Sequence, residues 1–134
     1  MAQRATGTFD VKLAPLDSSV KAEENPIARY SLDKSYHGDL NATSQGEMLS
    51  GGTPTKGSGG YVAMERVSGT LHGRKGTFLL QHDGTMQNND YHLNVIVVPG
   101  SGTGELTGLS GTLQIIIKDG RHSYDLSYIL PAEK

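Results

Sequence analysis

The stretch Ser110-Gly111-Thr112-Leu113-Gln114-Ile115-Ile116-Ile117-Lys118-Asp119-Gly120-Arg121-His122-Ser123-Tyr124-Asp125-Leu126-Ser127-Tyr128-Ile129-Leu130 decides the fold. Asp119-Gly120 between two strand-like runs is the signature of a two-residue hairpin turn, which needs positive φ at both central positions. That turn sets Ile117 opposite His122, Ile115 opposite Tyr124, Leu113 opposite Leu126 and Gly111 opposite Tyr128. One face then carries Leu113, Ile115, Ile117, His122, Tyr124, Leu126 and Tyr128. The other carries Thr112, Gln114, Ser123, Asp125 and Ser127, with Ile116 as the exception. A one-residue slip would mix the two sets, so turn chemistry and hydrophobic pattern agree on one register. His122, Tyr124 and Tyr128 are therefore inner-face residues. Each tyrosine is either a core residue whose hydroxyl reaches water or a carbonyl, or a ligand contact.

The same period of two recurs upstream, where Phe9, Val11 and Leu13 alternate with Thr8, Asp10 and Lys12. Eighteen glycines are spread along the chain, and from Gly38 onward few stretches escape Gly or Pro long enough to form a helix. The chain reads as all-β. Two apolar runs, Val95 to Val98 and Ile115 to Ile117, read as strands covered on both sides, the outer cover being a neighbouring subunit. A homo-oligomer, a dimer with Ile116 as outward anchor, is the expectation. Pro15 to Pro26 is polar and free of glycine and reads as a solvated connector, with room for one helical turn. Ser68-Gly69-Thr70-Leu71 recurs as Ser110-Gly111-Thr112-Leu113, which reads as repeated strand-entry chemistry rather than a solenoid. Gly-Thr is also read as opening strands at Gly7 and Gly76.

A second hairpin joins Tyr61–Leu71 to Thr77–His82 through His72-Gly73-Arg74-Lys75-Gly76. A two- or four-residue loop puts Gly69, Val67 and Glu65 on the face of Phe78, Leu80 and His82. Glu65 and His82 then share one apolar face, opposite or diagonal to each other. A carboxylate on a buried face costs several kcal/mol unless it is paired and hydrogen-bonded, or takes up a proton. His82 is the nearest ionisable partner. A carboxylate–imidazole pair in an apolar cavity is equipment for moving protons near neutral pH; a structural ion pair, or an exposed pair at a barrel mouth, is the plain alternative.

Tyr36-His37-Gly38-Asp39 suggests a turn at His37-Gly38, aligning Tyr30, Leu32, Lys34 and Tyr36 with Asp39, Asn41, Thr43, Gln45 and Glu47. Neither resulting face is cleanly apolar. If this one faces inward, the interior gains Lys34 and Glu47; otherwise those charges are solvated, and Glu47 is a secondary ligand-binding candidate.

Composition narrows the class of function. Twelve Lys+Arg against 14 Asp+Glu give a net charge of −2, without the basic field that a nucleic-acid or anionic-membrane binder needs. No apolar run approaches the ~20 residues of a membrane-spanning helix, and Met1-Ala2-Gln3-Arg4 leads into no signal-peptide core, so a cytoplasmic location is expected. With no cysteine there is no disulfide framework and no thiolate metal site. The five histidines show no tight metal spacing, so no metal or other cofactor is expected. Ser101-Gly102-Thr103-Gly104 lacks the Gly-Lys-Ser/Thr of a phosphate loop, and no Gly-x-Ser-x-Gly elbow occurs in a strand-to-helix setting.

Taken in order, Gly38-Asp39-Leu40, Gly46-Glu47-Met48-Leu49, Gly60-Tyr61-Val62-Ala63-Met64-Glu65-Arg66, Gly76-Thr77-Phe78-Leu79-Leu80-Gln81-His82, Val97-Val98-Pro99-Gly100-Ser101-Gly102-Thr103-Gly104-Glu105-Leu106 and His122-Ser123-Tyr124 resemble a bacterial family of small uncharacterised proteins, over nearly the whole chain. That family is similar in fold to the plant allene oxide cyclases, which are eight-stranded antiparallel barrels. Ser101 to Gly111 also resembles the Gly-Thr-Gly stretch before a late strand in allene oxide cyclases and dirigent proteins. The resemblance implies a closed barrel with a cavity and self-association, and does not imply cyclase activity.

The expectation is therefore one domain over residues 1–134, a closed antiparallel barrel of about eight strands, whose interior takes a small, largely apolar molecule. Phe78, Leu80, Leu113, Ile115, Leu126 and Tyr128 would form walls, and Glu65, His82 and Tyr124 would orient the ligand. Glu47 and His122 are further candidates. Any catalysis would be cofactor-free isomerase- or cyclase-type chemistry, with Glu65 accepting a proton or stabilising developing positive charge and His82 tuning Glu65 or shuttling the proton. The competing expectation is a non-catalytic binder or a structural dimer whose barrel is filled.

Overall fold

The computed structural model describes residues 2–17 and 27–131. Eight strands follow one another: β1 (Gln3–Leu16), β2 (Ile27–Gly38), β3 (Leu40–Gly52), β4 (Gly59–Leu71), β5 (Arg74–Gln87), β6 (Asp90–Val97), β7 (Ser110–Lys118) and β8 (Arg121–Ile129). One 3-10 turn, Gly104–Leu106, lies between β6 and β7. Each strand pairs antiparallel with the next, and β1 also pairs with β8, closing the barrel. The seam is thinnest between β6 and β7, where the one paired position among the described residues is Ile96↔Thr112. The expected single closed antiparallel barrel of about eight strands is the architecture found.

Three hairpins turn in two residues with positive φ at both: His72-Gly73 (48° and 80°), Asn88-Asn89 (53° and 65°) and Asp119-Gly120 (53° and 76°). The last fixes Ile117↔His122, Ile115↔Tyr124, Leu113↔Leu126 and Gly111↔Tyr128, the register expected from sequence. The first fixes Leu71↔Arg74, Val67↔Phe78, Glu65↔Leu80 and Ala63↔His82. Glu65 and His82 thus share the lumen face as a diagonal pair.

The β2–β3 corner differs from the sequence expectation. Tyr36 pairs with Ala42 and Lys34 with Ser44, a register three residues away from a His37-Gly38 turn. An odd shift exchanges the faces of β3. Leu40, Ala42 and Ser44 therefore point inward with Leu32, Lys34 and Tyr36, while Thr43, Gln45 and Glu47 point outward. Contacts from distant strands set this corner. Asp39 N–H donates to Thr6 O (3.1 Å), Thr6 N–H donates to the Asp39 carboxylate (2.9 Å), and His72 N–H donates to Asp39 O (2.8 Å).

Other expectations also need correction. Pro15 and Leu16 continue β1, paired with Tyr30 and Arg29, rather than opening a connector; residues 18–26 of that segment lie outside the described residues. Ser68–Leu71 closes β4 while Ser110–Leu113 opens β7, and Gly7 and Gly76 lie within β1 and β5, so the shared tetrapeptide is not strand-entry chemistry in both copies. Within one chain Val95 and Val97 are buried and Ile96 half-buried, but Ile116 and Ile117 are exposed. Alternation along each strand turns Ile96 and Ile116 outside the barrel, the side on which a neighbouring subunit is the expected cover.

The two ends of the barrel differ. The β2–β3, β4–β5 and β6–β7 connections share one end, where Leu40, Leu71, Leu106, Leu109, Tyr124 and Tyr128 are buried. Leu106 and Leu109 come from the long β6–β7 connection. Ser101 and Thr103 clip that connection to β5: Leu79 N–H donates to Ser101 Oγ (3.0 Å) and Thr77 N–H to Thr103 Oγ (3.0 Å). The Gly-rich stretch that superficially suggests a phosphate loop is thus a structural clip. At the other end the lumen-facing apolar residues emerge into solvent: Leu13 is 50% and Ile117 63% exposed, and Tyr91 and Leu93 are exposed as well.

Candidate functional site

Between the filled end and the open end lies a carboxylate. The alternation Ala63, Glu65, Val67 along β4 turns Glu65 into the lumen, where it is 1% exposed. Gly46 of β3 stands opposite it. A Cβ at Gly46 would lie 1.9 Å from Met64 O and 2.7 Å from Glu65 Cα, so only glycine permits this approach of the two strands. The in-facing residue two positions earlier on β3, Ser44, donates to Glu65 Oε1 at 2.9 Å. Tyr36 of β2 donates its hydroxyl to the same oxygen. Oε2 receives Lys34 Nζ at 2.7 Å and His82 Nε2 at 2.6 Å. Four donors from β2, β3 and β5 converge on one side chain of β4. Lys34 is 6% and His82 3% exposed.

The ionisation follows from this geometry. Burial by itself pushes the Glu65 carboxyl up, but the His82 hydrogen bond and the Lys34 charge outweigh it and hold the pKa at about 2. The side chain is thus a carboxylate at neutral pH, with both oxygens doubly occupied. Because a carboxylate only accepts, His82 Nε2 must carry the proton it shares with Glu65, which fixes the ring's tautomer when neutral. Burial, and then the negative charge of Glu65, raise the Tyr36 phenol above its ordinary range, and the same two causes raise Tyr61. Lys34 Nζ also lies 5.1 Å from the Phe9 ring centroid and 5.8 Å from that of Tyr36, favourable placements for a cation. Tyr61 stands on the open side with its ring centroid 6.3 Å from that of His82.

The other sequence candidates fall into four groups. Leu80 pairs with Glu65 and is fully buried beside it, and Phe78 lies one lumen position further toward the filled end. His122 is half-buried against Phe9, with ring centroids 5.2 Å apart, on the open side. The two tyrosines of β8 are occupied by structure. The Tyr124 hydroxyl accepts from Leu40 N–H (2.8 Å) and lies within donating distance of His37 O (2.9 Å) and Leu40 O (3.1 Å). The Tyr128 hydroxyl sits between His72 Nδ1 (2.5 Å) and Gln3 Oε1 (3.2 Å) at the filled end. Glu47 is the correction: the β2–β3 register places it outside, in an exposed ion pair with Arg29 (2.6 Å). Sequence reasoning missed Tyr36 and Ser44 and held Lys34 only conditionally. The available signal was Lys34 and Tyr36 two residues apart, on the face shared with Leu32.

A family model described as a protein of unknown function (DUF3224) matches residues 5–128. The chain belongs to the DUF3224 family. It is similar to a protein of unknown function of that family from Shewanella oneidensis MR-1, whose crystal structure superposes with a TM-score of 0.94. The two are 47% identical, over 99% of this chain and 100% of that one. Among curated proteins none matches.

For a DUF3224 barrel the arrangement offers a defined chemistry. Among the described residues no three His, Asp or Glu side chains converge to hold a metal ion, and no helix is long and apolar enough to cross a membrane. What the lumen does hold is an ion pair, Lys34–Glu65, and an imidazole whose back is fixed by that pair. Among the described residues no buried side-chain nitrogen or oxygen lacks a hydrogen-bond partner. Among the described residues His82 Nδ1 takes part in no hydrogen bond.

Proposed function

We propose that this DUF3224 protein binds a small, largely apolar molecule in the open half of its barrel, with the Lys34–Glu65–His82 network as the polar floor. The observation that carries this reading is the asymmetry of the lumen. Leucines fill one end, whereas at the other Leu13, Leu93 and Ile117 leave apolar surface on lumen-facing positions in water. Between that surface and His82 lie the half-buried Val11, Tyr61 and Ile115 and the buried Leu32 and Val95. Apolar walls with a few convergent polar groups are the usual equipment of a small-molecule site. Turnover, in this reading, is cofactor-free proton transfer of the isomerase or cyclase type. The two-sided β7 reading, with Ile116 outside and 45% exposed, extends the proposal to a homodimer.

The test is native mass spectrometry of protein purified from its own host, followed by methyl NMR with the molecule it retains. Shifts at Leu13, Val11, Leu32 and Ile115, with Leu40, Leu71 and Leu109 unmoved, are expected. If only the outer-face Val62 and Met64 respond, the lumen reading fails. One observation favours the alternative of a structural barrel: Glu65, Tyr36 and Tyr124 have their hydrogen bonds met within the protein. That alternative expects no retained molecule and no methyl response at the open end.

A further inference from the structure

We propose that the group that takes a hydrogen bond or a proton from the bound molecule is His82 through Nδ1, and that Glu65 is a positioning residue behind it. The proposal rests on the binding reading above and assigns the ligand class: an apolar molecule carrying one weakly acidic C–H or O–H.

Glu65 Oε1 receives Ser44 and Tyr36, and Oε2 receives Lys34 and His82, so neither oxygen has a free direction for a ligand proton. A carboxylate so held is also a weak base, since any proton it took would displace a charged or buried donor. His82 is the converse. Its Nε2–H is spent on Glu65, and its Nδ1 has no partner, although the residue is 3% exposed. The groups around the ring are few. Glu65 and Tyr61 approach from β4; from β2, Lys34 shares Glu65 Oε2 with His82 while Tyr36 holds Oε1; and β6 contributes the apolar Val95, paired with His82. Gly84, the next lumen position of β5, has no side chain; a Cβ there would lie 2.5 Å from the Tyr61 ring and 2.7 Å from Leu93. Tyr61 and Leu93 therefore pack over Gly84, the lumen position next to His82 on the open side. In the step itself, Nδ1 takes the ligand proton and the bonding electron pair stays on the ligand carbon or oxygen. The imidazolium formed is stabilised by the Glu65 carboxylate at 2.6 Å. A carboxylate behind an imidazole sets its tautomer and supports its charge in this way in many catalytic sites.

The probe is 5-nitrobenzisoxazole, a flat apolar molecule with one acidic C–H. Loss of that proton to a base breaks the ring N–O bond and releases a coloured cyanonitrophenolate. The wild-type protein is expected to accelerate this by about 100-fold over free imidazole at equal concentration. His82→Gln should abolish the acceleration. Glu65→Gln should lower kcat about tenfold with KM little changed, because the imidazolium formed in the step loses its carboxylate. A rate that is flat from about pH 4 upward and survives His82→Gln would identify Glu65 as the base and overturn the proposal, given its pKa of about 2. Should either variant fail to fold, 15N NMR of the wild-type rings decides. The expected neutral form has the proton on Nε2 and a lone pair on Nδ1 that responds to the probe; a proton on Nδ1 alone overturns the assignment. Methyl shifts at Leu13 and Ile115 without acceleration refute this inference alone, whereas absence of any such shift refutes the binding reading and the inference falls with it.

Discussion

Glu65→Gln keeps the shape of the side chain and removes its charge, and the geometry around it sets what that costs. The amide oxygen can still accept from Tyr36 and Ser44. The amide nitrogen, however, must then face Lys34 Nζ and His82 Nε2, donor against donor, in a place where Lys34 is 6% exposed. Breaking a buried ion pair from one side costs about 3–5 kcal/mol. Linkage gives an independent figure. The Glu65 carboxyl falls from 4.5 to about 2 on folding, and at 1.36 kcal/mol per unit this is roughly 3 kcal/mol. The folded pKa is the lower one, so this stability is fully present above pH ~4.5 and is lost as pH falls toward ~2. The assay is urea denaturation of wild type and Glu65→Gln from neutral pH to the lowest pH at which both fold. The expected gap is about 3–5 kcal/mol at pH ~7, narrowing in acid, with all other carboxylates cancelling in the difference. A gap under about 1 kcal/mol at neutral pH, or one that does not shrink in acid, refutes the account of a charged, four-donor site.

Three further outcomes are expected. Tyr124→Phe should cost about 1–3 kcal/mol in denaturation free energy, since it strips the partner from the buried Leu40 N–H; an unchanged stability would show that the hydroxyl is not a structural clamp. Gly46→Ala should cost about 3 kcal/mol or prevent folding, because its Cβ meets Met64 O, while Gly73→Ala, with nothing within 4 Å of its Cβ and only a φ of +80° against it, should cost about 1 kcal/mol; thermal melts that rank the two the other way count against the strand approach beside Glu65. Sedimentation should show a dimer for the wild type and a monomer for Ile116→Lys, and a wild-type monomer at micromolar concentration would remove the self-association proposal.

The hairpins at Asp119-Gly120 and His72-Gly73 are legible in the sequence because their information is local. A two-residue turn with positive φ fixes parity, and parity fixes which side chains share a face. That is why alternation and turn chemistry suffice to place Glu65, His82, Phe78, Leu80, Tyr124 and Tyr128 inside. The β2–β3 corner is not legible, for the opposite reason. Its register depends on Thr6 from β1, His72 from the β4–β5 turn and Tyr124 from β8, none of which is near it in sequence. Misreading that one corner makes Glu47 a candidate for the interior and hides Ser44.

By itself, then, the chain determined an all-β barrel, the inner faces of its local hairpins and the fact that Glu65 needed a partner. Only the closed barrel decided what that partner was: not one imidazole but four donors from three strands, brought together by register and by the close approach at Gly46. The physical reason is one of range. Alternation and turn conformation are properties of a few consecutive residues, whereas lone-pair occupancy is set by side chains 17 to 31 residues apart that meet only when the sheet closes.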